Sequence, residues 1–278
     1  MLSNPFDLFL YFTLYSFVGW VCESIWCSVG TKKIVNRGFL TGPYCPIYGF
    51  GALIILILCV PLKQYPALVF VVAMLAATAL EYFTGWLLET LFHTRWWDYS
   101  HRKFQLKGRI CLRNSLLFGL MGVVATYFAD PLAERLIESI APNVRRILAM
   151  CLAALLAVDL AHTVSSLLGL RKRLRTLRTY LEELDVYNKE YHWLDIKDIQ
   201  GSVARLREIC LQDAGNGTAA GILQRLDSLT ERHNESVRLL KAFPNMRDKD
   251  FGEELKAIRE SWIEHARNRK KKNKGQED

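Results

Sequence analysis

Charged residues are scarce in the first 170 positions of this 278-residue chain, which hold 13 Lys and Arg and 9 Asp and Glu. The seven cysteines show no paired spacing, which argues against a disulfide framework and against a zinc site. The chain also lacks the GxxxxGK[ST] pattern that holds nucleotide phosphates, so we expect no ATP hydrolysis by the chain itself. What remains as the main feature of the first 170 residues is a series of long apolar runs.

Each of these apolar runs is close to the roughly 20 residues that a helix needs to cross a bilayer. They predict five spans, at about 6–29, 44–62, 66–92, 111–129 and 145–169. No basic segment precedes the first run and no small-residue cleavage site follows it, so we expect a span rather than a signal peptide. The predicted fold class is all-α: a polytopic membrane helix bundle at 1–170, followed by a helical tail at 171–278.

Basic residues cluster in alternate connections of this arrangement. They fall in the loops at about 30–43 and 93–110, and directly after the fifth span at 171–178. Because cytoplasmic loops carry an excess of Lys and Arg, we expect the N-terminus outside and the C-terminus in the cytoplasm. The predicted location is the cell membrane, which the chain crosses several times.

A short pattern occurs twice in the predicted membrane domain. Gly19-Trp-Val-Cys-Glu23 in the first span recurs as Gly85-Trp-Leu-Leu-Glu89 in the third. Each copy is followed by a basic loop and a further apolar span. This order predicts an internal repeat of two spans, with both copies in the same orientation and related by an axis along the membrane normal.

Three glutamates lie inside, or at the predicted cytoplasmic ends of, spans one and three, where ionisable side chains are costly and usually have partners. Glu81 and Glu89 share one helix face with Gly85, and Glu81 lies about 12 Å deeper than Glu89 from the helical rise. Glu23 and Glu89 either form a functional acidic pair or are interfacial residues paired with loop arginines. The depth of Glu81 favours a functional role.

The predicted substrate or ion site is therefore polar and lies towards the cytoplasmic side. Its candidate residues are the three glutamates, nearby basic, amide and aromatic side chains, and a polar pair in span five: Glu23, Glu81, Glu89, Arg37, Arg109, Arg113, Asn114, Trp20, Trp86, Tyr48, Asp159 and His162. For the pair in span five, a structural hydrogen bond is favoured over a proton relay. The Gly- and Pro-rich start of span two either lines a cavity or forms a kink.

Aromatic and basic residues are mixed in the second basic loop. Trp and Tyr concentrate at headgroup level, so we expect this loop to lie at the inner leaflet. The candidates for headgroup contact are Arg95, Trp96, Trp97 and Asp98. His93, Asp98 and His101 do not have the spacing of a standard zinc site, so neither a metal nor a cofactor is predicted.

The tail has leucines that recur at alternating spacings of four and three from Leu170 to Leu184, with Tyr191 on the same seam. This pattern predicts that the fifth span continues into an amphipathic helix with coiled-coil character. We expect the tail helices to pair with one another or, in a homo-oligomer, with a second copy of the chain. No motif indicates nucleic-acid binding, and none is expected.

Several motifs together resemble one bacterial family. They are Glu81-Tyr-Phe-Thr-Gly-Trp-Leu-Leu-Glu89, Arg95-Trp-Trp-Asp-Tyr-Ser100, Lys107-Gly-Arg-Ile-Cys-Leu112 and Arg37-Gly-Phe-Leu-Thr-Gly-Pro-Tyr-Cys-Pro-Ile-Tyr-Gly49. On these motifs, residues 5–170 resemble the family described as putative ABC-transporter permease, type IV. The resemblance implies a permease subunit that works in the lipid bilayer of a bacterial inner membrane with a separate ATPase subunit.

Three functions are compatible with these residues. The first and favoured one is permease-like membrane transport. The second is a membrane-embedded enzyme acting on a lipid or headgroup, with carboxylates as acid and base and with Arg37, Arg109 and Arg113 holding phosphate. No spacing of a nucleophile and a base supports enzymatic activity, which is the less favoured expectation. The third is a membrane sensor or scaffold whose tail is the working part.

Overall fold

The computed structural model describes residues 4–31 and 36–187 and, in the tail, 224, 238–240, 242–243, 246–256 and 259. Most of these residues are helical. The helices are α1 (Pro5–Thr31), α2 (Pro46–Cys59), α3 (Pro66–Phe92), α4 (Leu112–Val124), α5 (Asp130–Glu138) and α6 (Pro142–Tyr187). A 3-10 turn at Val60–Leu62 follows α2, and a π-helical turn at Ala125–Ala129 joins α4 to α5. The two-residue strands are β1 (Thr94–Arg95), β2 (Gln105–Leu106), β3 (Ile110–Cys111) and β4 (Arg247–Asp248).

Four helical stretches of the described chain are long and apolar enough to cross a membrane: Pro5–Val29, Pro66–Phe92, Leu112–Glu138 and Pro142–Thr179. This confirms the predicted mostly helical chain with several candidate membrane spans. The remaining apolar helix, Pro46–Leu62, is shorter. Its α-helical part has 14 residues. That length reaches about 21 Å, against a hydrocarbon core of roughly 30 Å. A fifth crossing therefore stays a prediction.

Proline and glycine mark several helix boundaries. Both α2 and α3 begin with a proline in the first turn, where its missing N–H and fixed φ fit the helix. Helix α3 ends at Phe92, and the next residue, His93, adopts a left-handed conformation with φ 51°, as residues after a helix often do. The stretch Leu112–Glu138 extends well beyond the end predicted at 129 for the fourth span, because charged residues in α5 interrupt the apolar run without interrupting the helix.

The chain divides into two compact units. The first comprises Met1–Val164 and Lys241–Met246, and the second comprises Ser165–Leu240 and Arg247–Asp278. In the first unit, α1 packs on α2 and α3 packs on α4. The helices come very close at glycines: a Cβ at Gly49 would overlap Ser16 and the carbonyl of Phe12.

The second unit contains the first part of the predicted leucine seam. Leu170, Leu174 and Leu177 are buried, as expected for the apolar face of an amphipathic helix. Two ion pairs accompany this face: Arg171 with Asp250 (2.8 Å) and Arg178 with Glu254 (3.1 Å). The side chains of Leu181 and Leu184, and the whole of Tyr191, lie outside the described residues. Coiled-coil pairing with a second copy stays a prediction.

The segment that joins α1 to α2 folds back along α1. The backbone N–H of Cys45 donates to the carbonyl of Ser16 (2.9 Å), about halfway along the helix. The indole N–H of Trp20 donates to the side-chain oxygen of Asn36 (2.6 Å). From Ser16 to Thr31 the helical rise is about 22 Å, so α2 begins far from the end of α1.

This segment is non-helical backbone beside the middle of a predicted membrane span, so its N–H and C=O groups require partners from the protein. Asp159 of α6 provides two of them, because its carboxylate accepts hydrogen bonds from the N–H groups of Thr41 (3.0 Å) and Gly42 (2.8 Å). The Gly- and Pro-rich start of α2 is thus held by hydrogen bonds from α1 and α6.

The segment that joins α3 to α4 folds back along α3 in a similar way. The Tyr99 hydroxyl donates to Glu81 (3.2 Å), and the helical rise from Glu81 to the end of α3 is about 16 Å. Within this segment β2 and β3 form an antiparallel pair. The two connecting segments meet at one end of the first unit, where the Phe39 ring packs against Trp96 at 5.2 Å between centroids.

Candidate functional site

Glu89 is the most strongly paired of the three glutamates. Its side chain is 3% exposed. Oε2 accepts hydrogen bonds from Nη2 (2.6 Å) and Nε (2.8 Å) of Arg109, and Oε1 accepts one from Nη2 of Arg95 (3.1 Å). Charge-assisted hydrogen bonds between a guanidinium and a carboxylate are among the strongest polar contacts in proteins. Both arginines lie in the segment between α3 and α4, so Glu89 attaches this segment to α3.

Arg109 is itself held from a second side. Its Nη1 donates to the Tyr82 hydroxyl (3.1 Å), and its guanidinium carbon lies 5.2 Å from the centre of the Tyr82 ring. Burial lowers the pKa of Arg109, but its hydrogen bonds and its charge interaction with Glu89 raise that pKa on balance. Arg109 is therefore a permanent positive charge beside Glu89.

Glu23 has weaker partners. The Tyr48 hydroxyl donates to its Oε1 (2.7 Å), and Nε of Arg37 lies 3.8 Å from its Oε2. Arg37 also donates to the backbone carbonyl of Ala242, and its guanidinium lies 4.9 Å from the centre of the Phe243 ring. Tyr48 reaches Glu23 because Gly19 leaves room for its ring: a Cβ at that position would overlap Tyr48.

Glu81 differs from the other two glutamates. It is 6% exposed, and among the described residues no Lys or Arg lies within ion-pair distance of it. Its polar neighbours are neutral, namely the Tyr99 hydroxyl and the side chain of Asn114. Burial raises the pKa of Tyr99, and interactions with Glu81 and the charge of Glu23 raise it further. The carboxylates of Glu81 and Glu23 therefore both act on Tyr99.

The remaining candidates fall into two groups. Asp159 binds the segment before α2, and Trp20 donates to Asn36, so both hold the first connecting segment in place. His162, Trp86 and Arg113 are exposed on their helices. Asp159 thus bonds to backbone N–H groups of another segment, whereas His162 points out of the unit.

The four candidates for headgroup contact make protein contacts. Trp96 is 3% exposed and packs against Phe39. The indole N–H of Trp97 donates to the Arg109 carbonyl (2.8 Å). Arg95 binds Glu89, and Asp98 accepts a hydrogen bond from the Ser100 hydroxyl (2.5 Å). Headgroup contact by these residues stays a prediction. In the part of the chain that the structure describes, no group of three His, Cys, Asp or Glu side chains could hold a metal ion.

The sequence does not predict a role for Tyr99 or Tyr82. Tyr99 lies in the Arg95–Ser100 motif and Tyr82 in the Glu81–Glu89 motif, but neither motif indicates the contact of Tyr99 with Glu81 or that of Tyr82 with Arg109. Both contacts depend on the fold-back of the second connecting segment. A local sequence pattern carries no signal for a hydrogen bond of that kind.

A family model described as putative ABC-transporter type IV matches residues 10–164. The chain belongs to this family. The match covers most of α1, all of α2 to α5 and the first part of α6, and includes Glu23, Glu81 and Glu89. It confirms the predicted resemblance. Membership of the putative ABC-transporter type IV family, together with the four long apolar helices, supports a multi-pass membrane protein with a role in transport. No curated protein and no solved structure matches the chain significantly.

Proposed function

We propose that the protein is the membrane subunit of a transporter whose substrate or ion site is built around Glu81. Family membership supports the transport role. The observation that carries the site is the contrast between the three glutamates: arginines accompany Glu23 and Glu89, whereas Glu81 is buried beside neutral partners.

A buried carboxylate without a cation is costly, so it takes up a proton or binds a positively charged group. The Tyr99 hydroxyl and Asn114 supply a donor and an amide that orient the Glu81 carboxylate. We therefore expect the site to accept a proton or a positively charged part of a substrate. The arginine pairs at Glu23 and Glu89 hold the two connecting segments around it.

The proposed topology has five crossings, with the N-terminus outside and the C-terminus in the cytoplasm. Two observations support it. The connecting segments meet at one end of the first unit through Phe39 and Trp96. The turn after α2 is tied to the π-helical turn, because the Tyr127 hydroxyl donates to the Lys63 carbonyl (2.5 Å).

The proposed repeat also has structural support. Glu23 contacts Arg37 in the segment after α1, and Glu89 contacts Arg109 in the segment after α3. Each proposed two-span unit therefore contains its own glutamate–arginine pair between its first helix and its connection. The pairs differ in strength, with shortest distances of 3.8 and 2.6 Å.

The proposed partners are the lipid bilayer and a separate ATPase subunit. Purification of the full chain in a mild detergent, followed by mass spectrometry, tests for the ATPase. A co-purifying protein with a GxxxxGK[ST] loop would support ATP-driven transport. Its absence from the chain's purified complexes, together with transport that persists without ATP, would favour a secondary transporter.

The substitution Glu81→Gln tests the site. Cells that produce the wild-type protein, Glu81→Gln or the exposed-residue control Glu134→Gln at equal membrane levels are compared with empty-vector cells by untargeted metabolite and ion analysis. We expect wild type and Glu134→Gln to change the same solutes, and Glu81→Gln to match the empty vector. Identical solute changes in wild type and Glu81→Gln would contradict a site at Glu81.

A further inference from the structure

A second buried polar cluster lies in the first unit, where α5 packs against the first half of α1. At its centre is Asp130, which is 3% exposed and begins α5. The hydroxyls of Tyr11 and Tyr15, one turn apart on α1, both donate to its Oδ1, Tyr15 at 2.8 Å. The two tyrosine rings lie 4.6 Å apart between centroids.

The other oxygen of the same carboxylate is the unusual atom. Oδ2 of Asp130 is buried and has no hydrogen-bond partner among the described residues. A buried carboxylate oxygen that is left unpaired keeps the cost of its lost hydration. Two tyrosines hold Oδ1, so the carboxylate cannot turn to satisfy Oδ2 without breaking those bonds.

The charged groups nearby do not neutralise this oxygen. Lys63 is close enough to influence the Asp130 carboxylate but is not within ion-pair distance of it in the described structure, and Glu134 is a second negative charge. Arg145, which lies further along, is bound to Asp7 at 2.7 Å. The site is therefore a fixed carboxylate oxygen that faces no cation of the described chain.

The backbone beside Asp130 is also unusual. The π-helical turn Ala125–Ala129 directly precedes it. Single π-helical turns are rare and occur frequently at functional sites. Here the turn lies directly before the residue whose carboxylate binds the two tyrosines of α1.

We propose that Asp130, Tyr11 and Tyr15 form a binding site for a small cation, either a proton or Na⁺, which is taken up at Oδ2 of Asp130. The tyrosine hydroxyls fix the carboxylate through Oδ1, and the cation neutralises the second oxygen. This site is separate from the one proposed around Glu81 and does not depend on it. The family description assigns no ion to the chain.

The experiment uses the full-length protein in phosphatidylglycerol-containing nanodiscs at pH 7, with Asp130→Asn and, as the control, Glu138→Gln at an exposed position on the same helix. If the cation is a proton, the infrared spectrum contains a protonated-carboxyl C=O band that Asp130→Asn removes and Glu138→Gln retains. If the cation is Na⁺, the melting temperature of the protein is higher in NaCl than in choline chloride, and the protein retains ²²Na⁺. Asp130→Asn then loses both effects.

A second variant keeps the test valid if Asp130→Asn does not fold. Tyr15→Phe retains the carboxylate but removes one donor to Oδ1. We expect it to shift the carboxyl band in the proton case, or to weaken ²²Na⁺ retention several-fold in the Na⁺ case. A wild-type protein with neither a carboxyl band sensitive to Asp130→Asn or Tyr15→Phe nor a response to Na⁺ would overturn the proposal.

Discussion

Individual polar residues hold the irregular segments of this protein to its helices. Glu89 and Asp159 illustrate two ways of doing so: the first binds two guanidinium groups, and the second binds two backbone N–H groups. In an apolar environment each carboxylate contributes most to the free energy of unfolding when all its partners are in place, because a partner left unpaired keeps its full desolvation cost.

Glu89→Gln should destabilise the protein by about 3 kcal/mol, because it leaves Arg95 and Arg109 without their carboxylate. The matched substitution Glu134→Gln, at an exposed position, should change the free energy of unfolding by less than about 0.5 kcal/mol. Denaturant unfolding in detergent micelles measures both values. Equal stability of the two variants would show that the Glu89 pairs contribute nothing to folding.

Substitutions at Asp159 should separate a structural role from a proton relay. We expect Asp159→Ala to cost about 2–3 kcal/mol, because two backbone N–H groups lose a charged acceptor. Asp159→Asn keeps one acceptor and should fall between the alanine variant and wild type. His162→Ala, at an exposed position three residues on, should leave stability unchanged. A relay would instead require His162→Ala to alter transport as strongly as Asp159→Asn does.

At the scale of the elements, the sequence predicted the helices better than the connections. Apolar runs locate α1, α3 and the membrane part of α6, since burial in lipid is encoded residue by residue. The amphipathic α5 was missed because Glu134, Arg135 and Glu138 end the apolar run. The fold-back of the connecting segments was missed because it rests on bonds between distant residues, such as that of Tyr99 with Glu81.

Close packing of α1 on α2 should depend on one glycine and not on its neighbour. Gly49→Ala should cost about 1–3 kcal/mol, because the new methyl group would overlap Ser16 and the backbone of Phe12. Gly51→Ala is the control, since its methyl group would meet only Leu80, at an ordinary 3.7 Å. Thermal unfolding in detergent compares the two variants. A Gly51→Ala variant as unstable as Gly49→Ala would argue against this packing.

At the scale of the whole molecule, the number of crossings is the main topological question. In a cysteine-free background, we expect Ser3→Cys and Lys63→Cys to react with a membrane-impermeant maleimide from outside intact cells. Lys103→Cys should react only in inverted vesicles, because the basic loop around it is expected in the cytoplasm. Labelling of Ser3→Cys and Lys63→Cys from opposite sides would show that α2 does not cross the membrane.

Two ion pairs around the three glutamates could be predicted from the sequence, whereas a substrate or ion site there stays a prediction. Glu23, Glu81 and Glu89 were selected because ionisable residues are rare in apolar helices, and Arg37 and Arg109 were selected as their counter-charges. Contacts of Glu23 with Arg37 and of Glu89 with Arg109 are present. The isolation of Glu81 from arginine was not predicted, because charge spacing along the chain does not reveal which of three carboxylates a loop arginine will reach.

The pairing of Glu89 with Arg109 also has a consequence for the order of synthesis. A ribosome adds roughly 5–20 residues per second, so Arg109 is made about 1–4 s after Glu89. Arg95 follows Glu89 by only six residues, so for most of that interval α3 carries two carboxylates and Arg95 but not Arg109. The nascent helix therefore depends on its own apolar residues, or on the membrane-insertion machinery, until the next segment has emerged and folded back onto it.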